Sequence, residues 1–234
     1  MSYMLNSRTK TSGFTLVEIA IVLVIFGLLL SAFLAPLTAQ RELRASEVTQ
    51  QSLKLITEAI NGFSILNGRL PCPSTQTDPA NANYGLEDAT CSASYVAEGY
   101  LPWRTLGVPE MDEWGTRRTT TGSAWNGYWR YRIDRSFTAV TDFSTNILSA
   151  TPTYGDTLTI RNSSGNNISS NIERPIAIVY STGSNLIANG QNATFEATAG
   201  IYESNSNTVT FDDMLIWITR PTVVNRMVAA GKLP

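Results

Sequence analysis

From Phe14 to Ala39 the chain is apolar at almost every position, with one carboxylate, Glu18, near its start and no further charge before Arg41. A hydrocarbon core takes roughly 20 helical residues to cross, so the run predicts a membrane-spanning helix. Past Leu37 the pattern becomes amphipathic. Val48, Ser52, Leu55, Ile56, Ala59, Ile60 and Phe63 fall at helical spacing, with Arg44, Glu47, Gln51, Lys54 and Glu58 between them. The helix is expected to continue through 40–66 and to pack its apolar stripe on a globular head. Asn67-Gly68, then Pro71 and Pro73, end it. Pro36 lies inside it and leaves the carbonyl of Ala32 without its N–H partner, which predicts a kink. Gly27 and Ser31 form a small-xxx-small pair that allows close helix approach.

Residues 67–234 read as one head domain. Gly68 to Gly99 is rich in turn formers, and Tyr128–Ile133 alternates like a strand. Further strands are expected at Thr157–Arg161, Pro175–Ser181 and Thr208–Thr219, with a loop or hairpin tip at Asn162–Asn171. Past Arg220-Pro221, Val223, Val224, Met227 and Val228 suit a short helix that Thr222 caps and Gly231 ends. The expected fold class is α+β: a long N-terminal helix on an antiparallel sheet, with a short C-terminal helix.

Composition narrows the function. The net charge is −2, which argues against a nucleic-acid partner. There is no histidine, hence neither the commonest general base nor the commonest zinc ligand. No Gly-x-Ser-x-Gly, P-loop or His-Glu-x-x-His occurs, and an acidic pair such as Glu110 and Asp112 is common on any surface. Catalysis is not expected.

The segment ahead of the apolar run carries the most specific signal. Arg8 and Lys10 make a basic leader that ends at Gly13, and Phe14-Thr15-Leu16-Val17-Glu18 follows. An ionisable side chain at membrane depth costs on the order of 2.5–3.5 kcal/mol, so Glu18 requires a reason. These residues resemble the processing motif of the type IV pilin and type II secretion pseudopilin superfamily. The resemblance implies that residues 1–13 are a leader, removed by a membrane-bound prepilin peptidase that cuts between Gly13 and Phe14 and methylates the Phe14 amine. Removal takes Arg8 and Lys10 and leaves a net charge of −4. Two plainer readings compete. In a cleaved secretory signal, Leu37-Thr38-Ala39 lacks the small residue expected two positions before Ala39. In a plain signal anchor, Arg8 and Lys10 on one side and Arg41 and Arg44 on the other leave the orientation open.

Further resemblances reach into the head. Leu101-Pro102, Asp112-Glu113-Trp114-Gly115 and Tyr128-x-x-Tyr131 resemble the start of the head in major pseudopilins, where the Asp-x-Trp-Gly turn leads into the first sheet strand. This chain departs by inserting Thr116 to Gly127. The tryptophans are expected to be core aromatics rather than a ligand platform. Cys72 and Cys91 lie beyond the span, and in an oxidising compartment they read as a disulfide, the alternative being two unpaired thiols. Major pseudopilins bind calcium between late strands, and the matching oxygen donors here would include Glu196, Asp212 and Asp213. That loop is poorer in acid than the family's, and a solvated turn at Asp212-Asp213 is the favoured reading.

The resemblance thus implies a structural subunit of a type IV pilus or type II secretion filament. It would be held in the bacterial inner membrane by residues 14–39, with its head in the periplasm. Its partners would be the peptidase, other pilin or pseudopilin subunits, the inner-membrane assembly platform and, before assembly, the lipid bilayer. Glu18 and the Phe14 amine would guide assembly. The alternative is a monomeric, membrane-anchored surface binding protein or adhesin.

Overall fold

The computed structural model describes residues 13–88, 99–138, 140–193 and 200–233, with the backbone alone at 31–37, 140–142 and 144. The chain divides into two compact units, residues 1–44 and 45–234. Helix α1 covers Leu16–Asn67 and is assigned as helix throughout, Pro36 included. Within the first unit its apolar side chains from Leu16 to Leu30 are exposed around the whole circumference. Among the described residues, no helix is long and apolar enough to cross a membrane.

In the second unit, α1 presents Thr49, Leu53, Ile56, Ile60 and Ser64 as its buried stripe. Two stripe positions read from the sequence differ: Val48 and Leu55 are exposed, and Leu53 takes the inward place between Thr49 and Ile56. The helix stops at Gly68, whose positive φ of 64° lets its N–H return to the Ser64 carbonyl at 2.9 Å.

After α1 the described elements are strand β1 (Gly99–Tyr100), helix α2 (Trp103–Leu106), strand β2 (Arg130–Ile133) and a 3-10 turn (Arg135–Phe137). Helix α3 (Val140–Leu148), β3 (Thr159–Arg161), β4 (Pro175–Ser181) and a 3-10 turn (Gly190–Ala193) follow, then β5 (Ile201–Glu203), β6 (Met214–Thr219) and helix α4 (Arg220–Ala229). Four strands make an antiparallel sheet in the order β1-β2-β4-β6, and β3 pairs with β5 in parallel. The expected α+β architecture is present. The expected strand at Pro175–Ser181 coincides with β4, whereas the last strand begins at Met214 and Thr208 only bridges Phe211.

Residue alternation decides what lies on each face of the sheet. Tyr131 and Ile133 of β2, Ala177 and Val179 of β4 and Ile218 of β6 join Leu53, Ile56 and Ile60 of α1 in the main core. Ile178 and Tyr180 face the other way and meet Leu158, Ile160 and Tyr202 from the β3–β5 pair. Strand β4 is therefore buried at all seven positions, because both faces of the sheet are covered. An irregularity between Pro175 and Ala177 puts Ile176 and Ala177 in the same core cluster. Each fully buried Leu or Ile contributes about 1.5–3 kcal/mol of transfer free energy.

Helices α3 and α4 close one end. Phe143 and Ile147 enter the main core, and Arg220 donates from Nε to the Ile147 carbonyl at 2.7 Å. Helix α4 begins with Thr219 and Pro221, not Thr222, at its N-terminus; Thr222 shares only a hydroxyl contact of 3.0 Å with Thr219. At its C-terminus the Lys232 N–H reaches the Met227 carbonyl and the Gly231 N–H reaches that of Val228, both at 2.9 Å, with Gly231 at φ 67°. Gly231 ends the helix as its sequence position implied.

The inserted Thr116–Gly127 segment is a loop closed at its base. The Asp112 N–H donates to the Gly127 carbonyl and the Thr116 N–H to that of Asn126. The strand it leads into is β2, second in the sheet, because β1 precedes the turn along the chain. Trp103 and Trp129 are buried as expected of core aromatics, while Trp114, Trp125 and Trp217 are half-buried.

Candidate processing and assembly site

Gly13, Phe14 and Thr15 precede the first turn of α1 without regular structure. Gly13 is exposed, its φ lies outside the left-handed region, and a Cβ built on it would meet nothing within 4 Å. The fold of this chain places no demand for glycine there. A glycine requirement at position 13 would have to come from a partner's pocket. Phe14 is likewise exposed.

The helix start is a reciprocal cap. Thr15 Oγ1 accepts from the Glu18 N–H at 3.3 Å, and Glu18 Oε2 accepts from the Thr15 N–H at 2.9 Å and from Thr15 Oγ1 at 3.0 Å. This is the Ser/Thr-x-x-Glu capping box, which satisfies donors that a helix N-terminus leaves open. The spacing Thr15-Leu16-Val17-Glu18 carries that signal in the sequence, so Glu18 has a capping role beside the assembly role the resemblance implies. A carboxylate in the first turn also complements the helix dipole.

The late-strand acids do something other than form a solvated turn. Asp213 is buried, and its Oδ2 accepts from the Asn189 N–H at 2.9 Å and from Asn192 Nδ2 at 2.8 Å. Burial pushes the Asp213 carboxyl up to about 6, against the hydrogen bonds from Asn189 and Asn192, with Asp212 and Glu203 adding to the rise. Asp212 Oδ2 accepts from Ser184 Oγ and from the Asn185 N–H. Glu203 Oε2 accepts from the Gln191 N–H, a tie that no sequence pattern announces. The three acids thus fasten the 183–192 loop by its backbone and side-chain amides. Among the described residues, no group of three or more His, Cys, Asp or Glu side chains is placed to hold a metal ion. Glu196 lies outside the described residues. Cys72 is buried in the main core, and Cys91 lies outside the described residues.

A second buried carboxylate anchors the Asp-x-Trp-Gly turn. Asp112 Oδ2 accepts from Ser181 Oγ at 2.5 Å, and Oδ1 accepts from the Trp114 N–H at 3.1 Å. The turn is tied in this way to the end of β4. Burial pushes the Asp112 carboxyl up to about 6 despite these hydrogen bonds.

No curated protein and no solved structure matches the chain. Residues 8–34 match the prokaryotic N-terminal methylation motif. Gly13, Phe14, the Thr15–Glu18 cap and the exposed apolar turns of α1 all fall inside that segment. The chain therefore carries at its N-terminus the methylation motif that is the signature of type IV pilins and pseudopilins.

Proposed function

We propose that this protein is a structural subunit of a type IV pilus or type II secretion filament. The observation that carries the reading is the methylation motif at residues 8–34, which contains the Gly13–Phe14 junction. Prepilin peptidase cuts that junction and methylates the Phe14 amine. Residues 14–39 hold the precursor in the inner membrane as a single span, with the head in the periplasm, until the assembly platform transfers it to the filament. The apolar side chains exposed from Leu16 to Leu30 support this, because a helix apolar all round needs lipid or other helices to cover it. The subunit has no catalytic task.

In the filament, the protonated Phe14 amine pairs with Glu18 of its own or a neighbouring subunit and sets the register of incoming helices. A bare carboxylate in lipid is costly, and processing creates the nearest cation. Intact-mass analysis of protein from sheared filaments tests the reading. The expected species begins at an N-methylated Phe14, and Gly13→Val retains the leader. Assembled protein that still carries residues 1–13 would refute it.

A further inference from the structure

Leader removal requires attack on the carbonyl of Gly13, and that carbonyl lies just outside the helix. Helix α1 begins at Leu16, and Gly13, Phe14 and Thr15 are exposed and carry no regular structure. A helix continued toward the leader would bond the Gly13 carbonyl to the Val17 N–H and the Phe14 carbonyl to the Glu18 N–H. Neither bond is present among the described residues, and the ladder starts with the Ile19 N–H on the Thr15 carbonyl at 3.3 Å.

Thr15 supplies the stop. Its Oγ1 takes the Glu18 N–H at 3.3 Å, the donor that a longer helix would give to the Phe14 carbonyl. Its own N–H and hydroxyl are held by Glu18 Oε2 at 2.9 and 3.0 Å. A threonine so engaged fixes where a helix begins. Phe14 has no such device, since a phenylalanine is an ordinary helix residue. Without the Thr15 hydroxyl, the Glu18 N–H is left to water or to the Phe14 carbonyl. The first turn then frays or advances over the junction, and the junction loses its fixed place at the helix end.

We propose that Thr15 is a positioning residue for leader removal: by capping α1 it holds the Gly13–Phe14 bond outside the helix, at a fixed place before its first turn, for the peptidase to engage. The inference rests on the processing proposed above, to which the methylation motif at residues 8–34 points. In that step water adds to the Gly13 carbonyl carbon and the Gly13–Phe14 C–N bond breaks, which leaves a carboxylate on Gly13 and an amine on Phe14. Backbone is cut where it is exposed and free of regular hydrogen bonding. Thr15 acts only through the share of molecules that present the junction. Its loss therefore raises the apparent KM in inverse proportion to that share and leaves kcat unchanged.

Steady-state cleavage of the full-length precursor in detergent micelles by prepilin peptidase, followed by mass, tests this. Thr15→Val keeps the shape of the side chain without the acceptor, whereas Thr15→Ser and Thr15→Asn keep an acceptor on different shapes. The expected result is a KM raised about fivefold in Thr15→Val at unchanged kcat, with Thr15→Ser and Thr15→Asn within about twofold of wild type. Wild-type kinetics for Thr15→Val would overturn the inference. So would a Thr15→Asn chain cut as poorly as Thr15→Val, because the peptidase would then read the threonine itself, or a loss confined to kcat. Each of these outcomes leaves the processing reading in place. A wild-type chain that is not cut after Gly13 would refute that reading and this inference with it.

Discussion

Thr15 and Glu18 hold each other across the first turn of α1: the threonine hydroxyl accepts from the Glu18 amide, and the Glu18 carboxylate accepts from both donors of Thr15. The carboxylate proposed to guide assembly is thus part of the structure that starts its own helix. The two roles separate chemically. A cap needs an acceptor oxygen, which glutamine also supplies, whereas pairing with an amine in lipid needs the charge.

Glu18→Gln is accordingly expected to keep the helix start yet fail in assembly, and Glu18→Ala and Glu18→Val to fail at the same step. All three are expected to be cut after Gly13. Filament yield in cells that lack the wild-type subunit, with leader removal followed by mass, checks this. Normal filaments from Glu18→Gln would leave the glutamate as a cap only.

Thr15→Ala tests the other half. Loss of the cap hydroxyl costs about 1 kcal/mol of helix stability. Amides of the first turn should then exchange about fivefold faster by hydrogen–deuterium exchange, while the head is unchanged. Equal exchange in the two proteins would mean that the cap contributes nothing to the helix start.

The two raised carboxyls make a pH prediction. Asp112 and Asp213 titrate near 6 in the fold and near 3.8 when exposed, so between these values the native state holds protons that the unfolded chain has released. Their contribution to stability is present at low pH and is lost as pH rises through about 6. A shift of this size corresponds to on the order of 2–3 kcal/mol per group. Asp156 works in the opposite direction. Burial pushes it up, but the hydrogen bonds and charge of Arg135, with Arg132, outweigh burial and hold it below the usual carboxylate range, so its contribution fades in acid. Melting of the purified chain is expected to be higher at pH 5 than at pH 7, and Asp112→Asn should narrow the gap. A melting temperature that rises from pH 5 to pH 7 would contradict the assignment.

Gly127 lies at φ 72°, and a Cβ there would overlap the Gly115 Cα and Asp112 Oδ1. Its carbonyl also accepts from the Asp112 N–H at the base of the inserted loop. Gly127→Ala is therefore expected to destabilise the head by about 2 kcal/mol or more in denaturant titrations. Gly13→Ala, which meets nothing, should leave stability unchanged and act only on maturation.

Cys72 and Cys91 are expected to be oxidised in the mature subunit. Alkylation of natively prepared protein followed by mass analysis should find no modified thiol, and labelling of both cysteines would refute the bridge. A closed loop of about 20 residues is worth roughly 3 kcal/mol in the chain-entropy model, so reduction should lower the melting temperature.

What the sequence determined by itself is what depends on local order. The methylation motif at residues 8–34, the helix, its end at Asn67-Gly68 and the strand at Pro175–Ser181 follow from patterns within a few residues, because capping, turn chemistry and side-chain periodicity act at that range. Even the Thr15–Glu18 cap was present as a three-residue offset. Only tertiary structure decided the rest. The stripe expected from the sequence takes in Leu55, but the sheet covers Leu53 and leaves Leu55 exposed. Helix α3 carries Val140, Phe143 and Ile147 at helical spacing, but only the fold supplies its partners: Phe143 and Ile147 enter the core, and Arg220 donates to the Ile147 carbonyl. The acids at 112 and 213 looked like surface residues because the sequence shows a carboxylate but not the Ser181 hydroxyl or the Asn189 amide that allows its burial. Those partners lie far away along the chain, and burial together with long-range hydrogen bonding exists only once the chain has closed on itself.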